Sequence, residues 1–244
     1  MKRSTLTILL LVLVLASGCT PSSEDMARKP DADTVQGDQV LAAGTATQDT
    51  DELLDPATQN CIRSYGPAIK RYAGRYGFDW RLILAIMKQE SRFSRLAESQ
   101  KGAAGLMQLM PVTGEEMARK LELDDLSHPE HNIQAGIFYL RRLYDLFGGS
   151  DDADRLKLTL AAYNAGLSRV NDAQDLAAYL HEKPTDWKAV RDALPLLSKR
   201  YYTLHRSIWG QDRPRAGWFG NAGETIRYVD AIMDYYDDFR LALN

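Results

Sequence analysis

The chain has 244 residues, of which 45% are hydrophobic and 26% charged, and its formal net charge is −3. That composition suits one well-cored globular domain and excludes collagen-like, low-complexity and disulfide-dense chains. The charge is unevenly placed: residues 20–55 hold nine acids and two bases, while residues 56–244 carry +2, so no basic stripe points to nucleic acid.

Taken in order, the chain begins with Lys2 and Arg3, an apolar run from Leu6 to Leu15, and the small residues Ala16, Ser17 and Gly18. That order reads as a secretory signal over residues 1–18, and its apolar run is too short to cross a ~30 Å hydrocarbon core. Leu15-Ala16-Ser17-Gly18-Cys19 resembles a bacterial lipoprotein cleavage box, which implies acylation of Cys19 and attachment to a membrane. Thr20 after the cysteine implies, by resemblance to enterobacterial lipoproteins, the outer membrane. With Cys19 acylated, Cys61 has no partner for an intrachain disulfide and is expected as a small buried hydrophobe. Residues 19–55 are rich in Asp, Thr, Gln, Ser, Ala and Gly and hold no aromatic residue. They are expected as a flexible acidic tether with a reach of roughly 30–35 Å.

Residues 56–244 read as helices. Ile62, Tyr65, Ile69, Tyr72 and Tyr76 recur at helical spacing in a first helix, Pro56 to Arg75. Asp79 suits the N-cap of a second, Trp80 to Phe93, and Met110-Pro111 introduces a third, Val112 to Leu121. Pro129 opens a fourth, with Ile133, Ile137, Leu140, Tyr144 and Phe147 on one face and Gly148-Gly149 at its end. Further helices are expected from Asp151 to Asn164, Leu176 to His181, Trp187 to Trp209 (broken near Pro195) and Glu224 to Leu243. No strand alternation or internal repeat is evident, so the class is all-α in one domain.

On the second helix Ile83, Ile86 and Met87 precede Glu90 at i−7, i−4 and i−3, and Phe93 follows at i+3. Glu90 therefore lies on the apolar stripe, where lost hydration should raise its pKa. A carboxylic acid still protonated near neutral pH is what glycoside cleavage requires of its proton donor. A glutamate at the stripe's end, pairing with Arg92 or Arg95, remains the plain structural alternative. Gly102-Ala103-Ala104-Gly105-Leu106-Met107-Gln108-Leu109-Met110-Pro111 follows, glycine-rich and then apolar, with one amide suited to sugar hydroxyl and acetamido groups. Tyr163-Asn164-Ala165-Gly166 ends a helix, and Glu224 opens the last one. Each of these has an ordinary structural reading when taken alone.

Together and in this order they resemble the catalytic domain of soluble lytic transglycosylases, a lysozyme-like family. The family pattern is Glu-Ser, then Gly-Ala-x-Gly-Leu-Met-Gln-x-Met-Pro, then Ala-Tyr-Asn-Ala-Gly, then Glu-Thr-x-x-Tyr-Val. It is matched by Glu90-Ser91, Gly102 to Pro111, Ala162 to Gly166 and Glu224 to Val229, with Asn132-Ile133, Gly136 and Tyr139-Leu140 between the second and third motifs. The resemblance implies a lysozyme-like fold with a groove, Glu90 as sole catalytic carboxylate, and a groove lined by Ser99, Gln108, Met110, Tyr163, Asn164, Glu224 and Tyr228. It implies peptidoglycan strands as substrate and non-hydrolytic cleavage between MurNAc and GlcNAc to leave 1,6-anhydro ends. One departure is the long stretch between Gly166 and Glu224, holding Trp187, Trp209, Trp218 and Phe219, which could form an extra lobe on the groove.

Two rival readings stand beside it. A lysozyme-type muramidase would need a way to hold water, typically a second carboxylate such as Asp79, Glu98, Asp124 or Asp125. A non-catalytic wall-binding lipoprotein would use the same tether without the chemistry. No cofactor or metal is expected: His128 and His131 flank Pro129 without an acid-rich ligand set, and neither a phosphate-binding glycine loop nor a Gly-x-Ser-x-Gly elbow is present.

Overall fold

The computed structural model describes residues 54–243. The signal segment, Cys19 and the tether as far as residue 53 lie outside the described residues. Within them the secondary structure is helical, apart from isolated bridges pairing Ala104 with Glu98 and Leu109.

The helices are α1 Pro56–Tyr76, α2 Trp80–Ser91, α3 Pro111–Leu121, α4 Pro129–Leu146, α5 Asp152–Ala165, α6 Leu167–Tyr179, α7 Trp187–Ala193, α8 Tyr202–Trp209 and α9 Ala222–Ala242. Their starts follow capping chemistry. The side chains of Asp55, Asp79 and Asp151 accept hydrogen bonds from the backbone N–H groups of Thr58, Arg81 and Asp154, satisfying donors that a helix leaves unpaired. Prolines open α1, α3 and α4, where a missing N–H costs nothing.

The second helix is the axis of the core. Leu82 to Met87 are buried without interruption, because α2 lies against α1 on one side and α9 on another. Continuous burial explains why its apolar residues spread beyond one stripe. Helix α4 packs on α1, α3 and α5, and α5 also touches α6 and α9. Cys61 is buried in this core, and burial pushes its thiol up to about 12, which makes it an inert packing residue.

Two expected boundaries need correction. The helix expected from Leu176 begins at Leu167. Gly166 (φ 92°) closes α5 with its N–H on the Ala162 carbonyl and caps α6 at once, so the chain turns without a loop. The polar run Ser168, Arg169, Asn171 and Asp172 masks a buried face of Val170, Ala173, Leu176 and Ala177. The helix expected over Trp187 to Trp209 is divided into α7, a 3-10 turn at Leu194–Leu197, a second at Lys199–Tyr201, and α8. Pro195 within the first turn supplies no N–H to continue an α-helix.

Candidate active site

Glu90 occupies the last turn of α2. The residue keeps some surface open to solvent, but its carboxyl lies deep, and burial raises its pKa to about 7. The only opposing influence is the Tyr228 hydroxyl, which donates to Oε1 at 2.6 Å. The negative end of the helix dipole acts in the same direction as burial. No second ionised group contributes to the shift.

Two tyrosines stand near the carboxyl, Tyr228 buried and Tyr163 half-buried. Tyr228, on α9, makes the direct contact, and Tyr163, on α5, donates its hydroxyl to the Met107 carbonyl at 2.8 Å. Burial, followed by the Glu90 charge, drives both phenols well above their ordinary pKa, so both stay protonated. The ring of Tyr163 also meets Tyr139 of α4 at 5.4 Å.

The glycine-rich loop is held by buried polar groups. Ser91 places its hydroxyl within hydrogen-bond distance of the Leu106 and Met87 carbonyls, at 2.9 and 3.1 Å. Asn132 of α4 accepts from the Met107 N–H at 2.9 Å and donates to the Ala104 carbonyl at 3.2 Å. Gly105 (φ 80°) passes directly over that amide: a Cβ there would lie 2.4 Å from Nδ2 of Asn132. A side chain is therefore excluded both by conformation and by space. Gly136 admits Met107 in the same way, since its Cβ would meet that side chain at 2.6 Å.

The expected groove residues divide into three sets. Gln108, Met110, Tyr163 and Asn164 line one cavity of about 300 Å³. Asn164 and Glu224 line an adjoining one of about 320 Å³, and Met110 also borders a third of about 380 Å³ beside Leu96 and Leu126. The first two cavities share Lys101, Asn164, Ala165 and Arg169, so the groove runs from the glycine-rich loop past the α5–α6 junction to the start of α9. Ser99 borders none of these cavities, and its hydroxyl accepts from the Ala103 N–H within the loop. Gln108, in a left-handed conformation (φ 48°), donates from its amide nitrogen to the Ala97 and Gly105 carbonyls and lines the first cavity. Asn164 accepts from the Thr225 hydroxyl at 2.8 Å, and Glu224 accepts from the Asn221 amide at 3.3 Å.

The aromatic residues of the 167–223 stretch part company. Trp187 and Phe219 are buried, Trp209 is partly buried, and Trp218 stays 46% exposed on the groove. Sequence reasoning gave no role to Ser91, Asn132 or Thr225, although all three fall inside the recognised motifs. Nor did it single out Lys101 or Arg169, which carry no periodic or motif signal.

The carboxylates weighed for holding water are dispersed. Asp79 caps the opposite end of α2, and Asp125 is engaged with Ser127 in an exposed turn. Asp124 is exposed, and Glu98 lines the third cavity. Among the described residues no cluster of three or more potential metal ligands occurs.

The chain resembles known proteins over this same region. Residues 67–184 match the model of the Transglycosylase SLT domain. The membrane-bound lytic murein transglycosylase F of Desulfosudis oleivorans is 40% identical over 174 residues, covering 71% of this chain and 36% of that protein. Two solved structures are similar. The 70 kDa soluble lytic transglycosylase of Escherichia coli has a TM-score of 0.52 and 25% identity, covering 78% of this chain and 26% of that one. An inactive glutamate-to-glutamine mutant of the Pseudomonas aeruginosa lytic transglycosylase Slt has a TM-score of 0.51 and 27% identity, covering 72% and 24%. The chain thus spans about a third of that curated relative's length and about a quarter of each solved chain.

Proposed function

The chain carries a transglycosylase SLT domain with the lysozyme-like fold of the soluble lytic transglycosylases, and from that premise we propose that it cleaves the glycan strands of peptidoglycan without water. The observation that carries the reading is Glu90: one buried carboxyl, raised to about 7, with no second carboxylate coupled to it. Glycosidases that capture water or form a glycosyl-enzyme use two carboxyl groups. A lone one suffices when the substrate supplies its own nucleophiles.

In the proposed sequence protonated Glu90 gives its proton to the oxygen between MurNAc and GlcNAc, and that bond breaks. The 2-acetamido group of MurNAc takes up the positive character at the anomeric carbon. Glu90, now a carboxylate, removes the proton of the MurNAc 6-hydroxyl as that oxygen closes on the anomeric carbon. One proton has passed from the 6-hydroxyl to the departing sugar through Glu90, and no water is consumed. The Tyr228 hydroxyl steadies the carboxylate between the two transfers, since it donates to Oε1. Gln108, Met110, Tyr163, Asn164 and Glu224 line the strand's path, and Ser99 supports the loop.

We also place the chain at the cell envelope, in keeping with the membrane-bound relative, and propose that acylated Cys19 holds it there, at the outer membrane facing the wall. Mass spectrometry of purified peptidoglycan treated with the full chain tests the reaction. Anhydro-muropeptides, each lighter by one water than its reducing counterpart, are expected from the wild type and not from Glu90→Gln. Reducing ends would instead make the protein a muramidase.

A further inference from the structure

The groove continues past Tyr163 and Asn164. Its second cavity is lined by Lys101 from the glycine-rich loop, Arg169 from α6, Trp218 from the stretch before α9, and Asn221 and Glu224 from the start of α9. Arg169 is held in place. Its Nη1 donates to the Ala165 carbonyl at 2.7 Å, and its guanidinium lies 5.1 Å over the ring of Phe219. Its Nε is nevertheless buried with no hydrogen-bond partner among the described residues. A buried N–H without an acceptor is unfavourable, so such groups are uncommon unless something else satisfies them.

Charge points the same way. Among the described residues neither Lys101 nor Arg169 is paired with a carboxylate. With Glu224 counted, the lining holds two cations and one anion, an excess of one positive charge. Helix α6 begins at this place with Gly166 as a cap that offers no side-chain acceptor, so the positive end of its dipole adds to the excess. A guanidinium in a partly desolvated cleft suits an oxyanion, and the oxyanions that the substrate of the proposed reaction offers are carboxylates.

We propose that Arg169, assisted by Lys101, forms a subsite that binds a carboxylate borne on the side branch of the glycan strand. The ligand is either a carboxylate of the peptide stem or the lactyl carboxylate of a peptide-free muramic acid. Arg169 is a specificity-determining residue here and takes no part in bond breaking. The stretch between α6 and α9 gains a use: it supplies Trp218 and Phe219, which wall the subsite beside and beneath the guanidinium. The inference rests on the wall-cleaving reading for the identity of its ligand.

The test is a binding comparison by calorimetry with the full chain carrying Glu90→Gln, so that ligands survive. The probes are a disaccharide–tetrapeptide muropeptide, the same molecule with its carboxyl groups amidated, and the peptide-free disaccharide with its lactyl acid. The parent should prefer the acidic muropeptide over the amidated one by roughly ten- to a hundredfold, the range of a charge-assisted hydrogen bond. Adding Arg169→Met should abolish that preference while leaving affinity for the amidated ligand unchanged. An equal loss for both ligands would show a purely structural arginine and overturn the proposal. So would a parent with no preference, or a preference that survives Arg169→Met. Tight binding of the lactyl acid would locate the carboxylate on the sugar, and weak binding on the peptide, and both outcomes support the subsite. Should Arg169→Met fail to fold, Lys101→Met replaces it, with a reduced preference expected and an unchanged one counting against. Failure of the wall-cleaving reading is distinguishable, because it would appear as absent anhydro products regardless of these affinities.

Discussion

The two ends of α2 hold carboxylates with opposite fates. Asp79 and Glu90 sit eleven positions apart on one helix, Asp79 as its N-cap and Glu90 in its last turn. Burial pushes both upward. At Asp79 hydrogen bonds from Arg81, through side chain and backbone, and from Tyr236 outweigh burial, together with the Arg81 charge, and hold the acid below its ordinary value. At Glu90 burial meets only the Tyr228 hydroxyl, and the acid rises to about 7. Depth and the number of donors together divide a structural anion from a proton donor: Glu90 lies far deeper than Asp79 and has one donor where Asp79 has several.

The largest effect should come from breaking the Glu90 end. Glu90→Gln preserves shape and can still accept from Tyr228, yet it has no proton to exchange. Release of anhydro-muropeptides should fall by at least ~100-fold, the lower range for a general acid–base. The wild-type rate should decline as pH rises through about 7, where Glu90 loses the proton it must donate. A rate that keeps climbing to pH 9 would remove Glu90 from the role of acid.

The same substitution should stabilise the fold at alkaline pH. Below about pH 4.5 the acid is protonated in both the folded and the unfolded chain, so it contributes no difference. Between there and about pH 7 the unfolded chain ionises while the folded one does not, and folding is progressively penalised. Above that range the penalty is full, on the order of 3 kcal/mol. Thermal unfolding of Glu90→Gln should therefore exceed wild type at pH 8 and match it at pH 4. Equal midpoints at both values would mean that the carboxyl is not held in a desolvated place.

A somewhat smaller loss is expected from Asn132→Ala. That change leaves the buried Met107 N–H unpaired, at a cost of about 2 kcal/mol. It should also loosen the loop beneath the groove, so activity at 25 °C should fall further than stability alone explains. Urea denaturation beside a muropeptide release assay separates the two effects. This residue shows how far the sequence could be read. Glu90's environment was legible because its apolar neighbours lie within two turns of one helix. The clamp of Asn132 on a loop 25 residues earlier was not, nor was the contact of Tyr228 across 138 residues. Local periodicity encodes which face is buried, whereas pairing between distant elements depends on how the helices pack. The motif order made Tyr228 a groove residue by resemblance. Only the packing of α9 on α2 makes it the partner of the acid. The start of helix α6, ahead of the expected Leu176, is hidden for a related reason: its buried face is drawn partly from alanines, which carry little hydrophobic signal among polar neighbours.

The smallest effect belongs to the other end of the helix. Asp79→Ala removes the cap on the Arg81 N–H and the partner of the Arg81 guanidinium, and should cost about 1 kcal/mol. Its pH dependence should run opposite to that of Glu90. An acid held below its ordinary value stabilises the folded chain above the unfolded pKa and loses that contribution as pH falls through the folded one. The gap between Asp79→Ala and wild type should thus be full at pH 7 and narrow toward pH 2. Activity per folded molecule should stay unchanged, because Asp79 lies a helix length, roughly 16 Å, from Glu90 at 1.5 Å per residue. A large loss of activity without a loss of stability would couple the two ends of α2, and the carboxylate would then have to be counted with the site instead of with the scaffold.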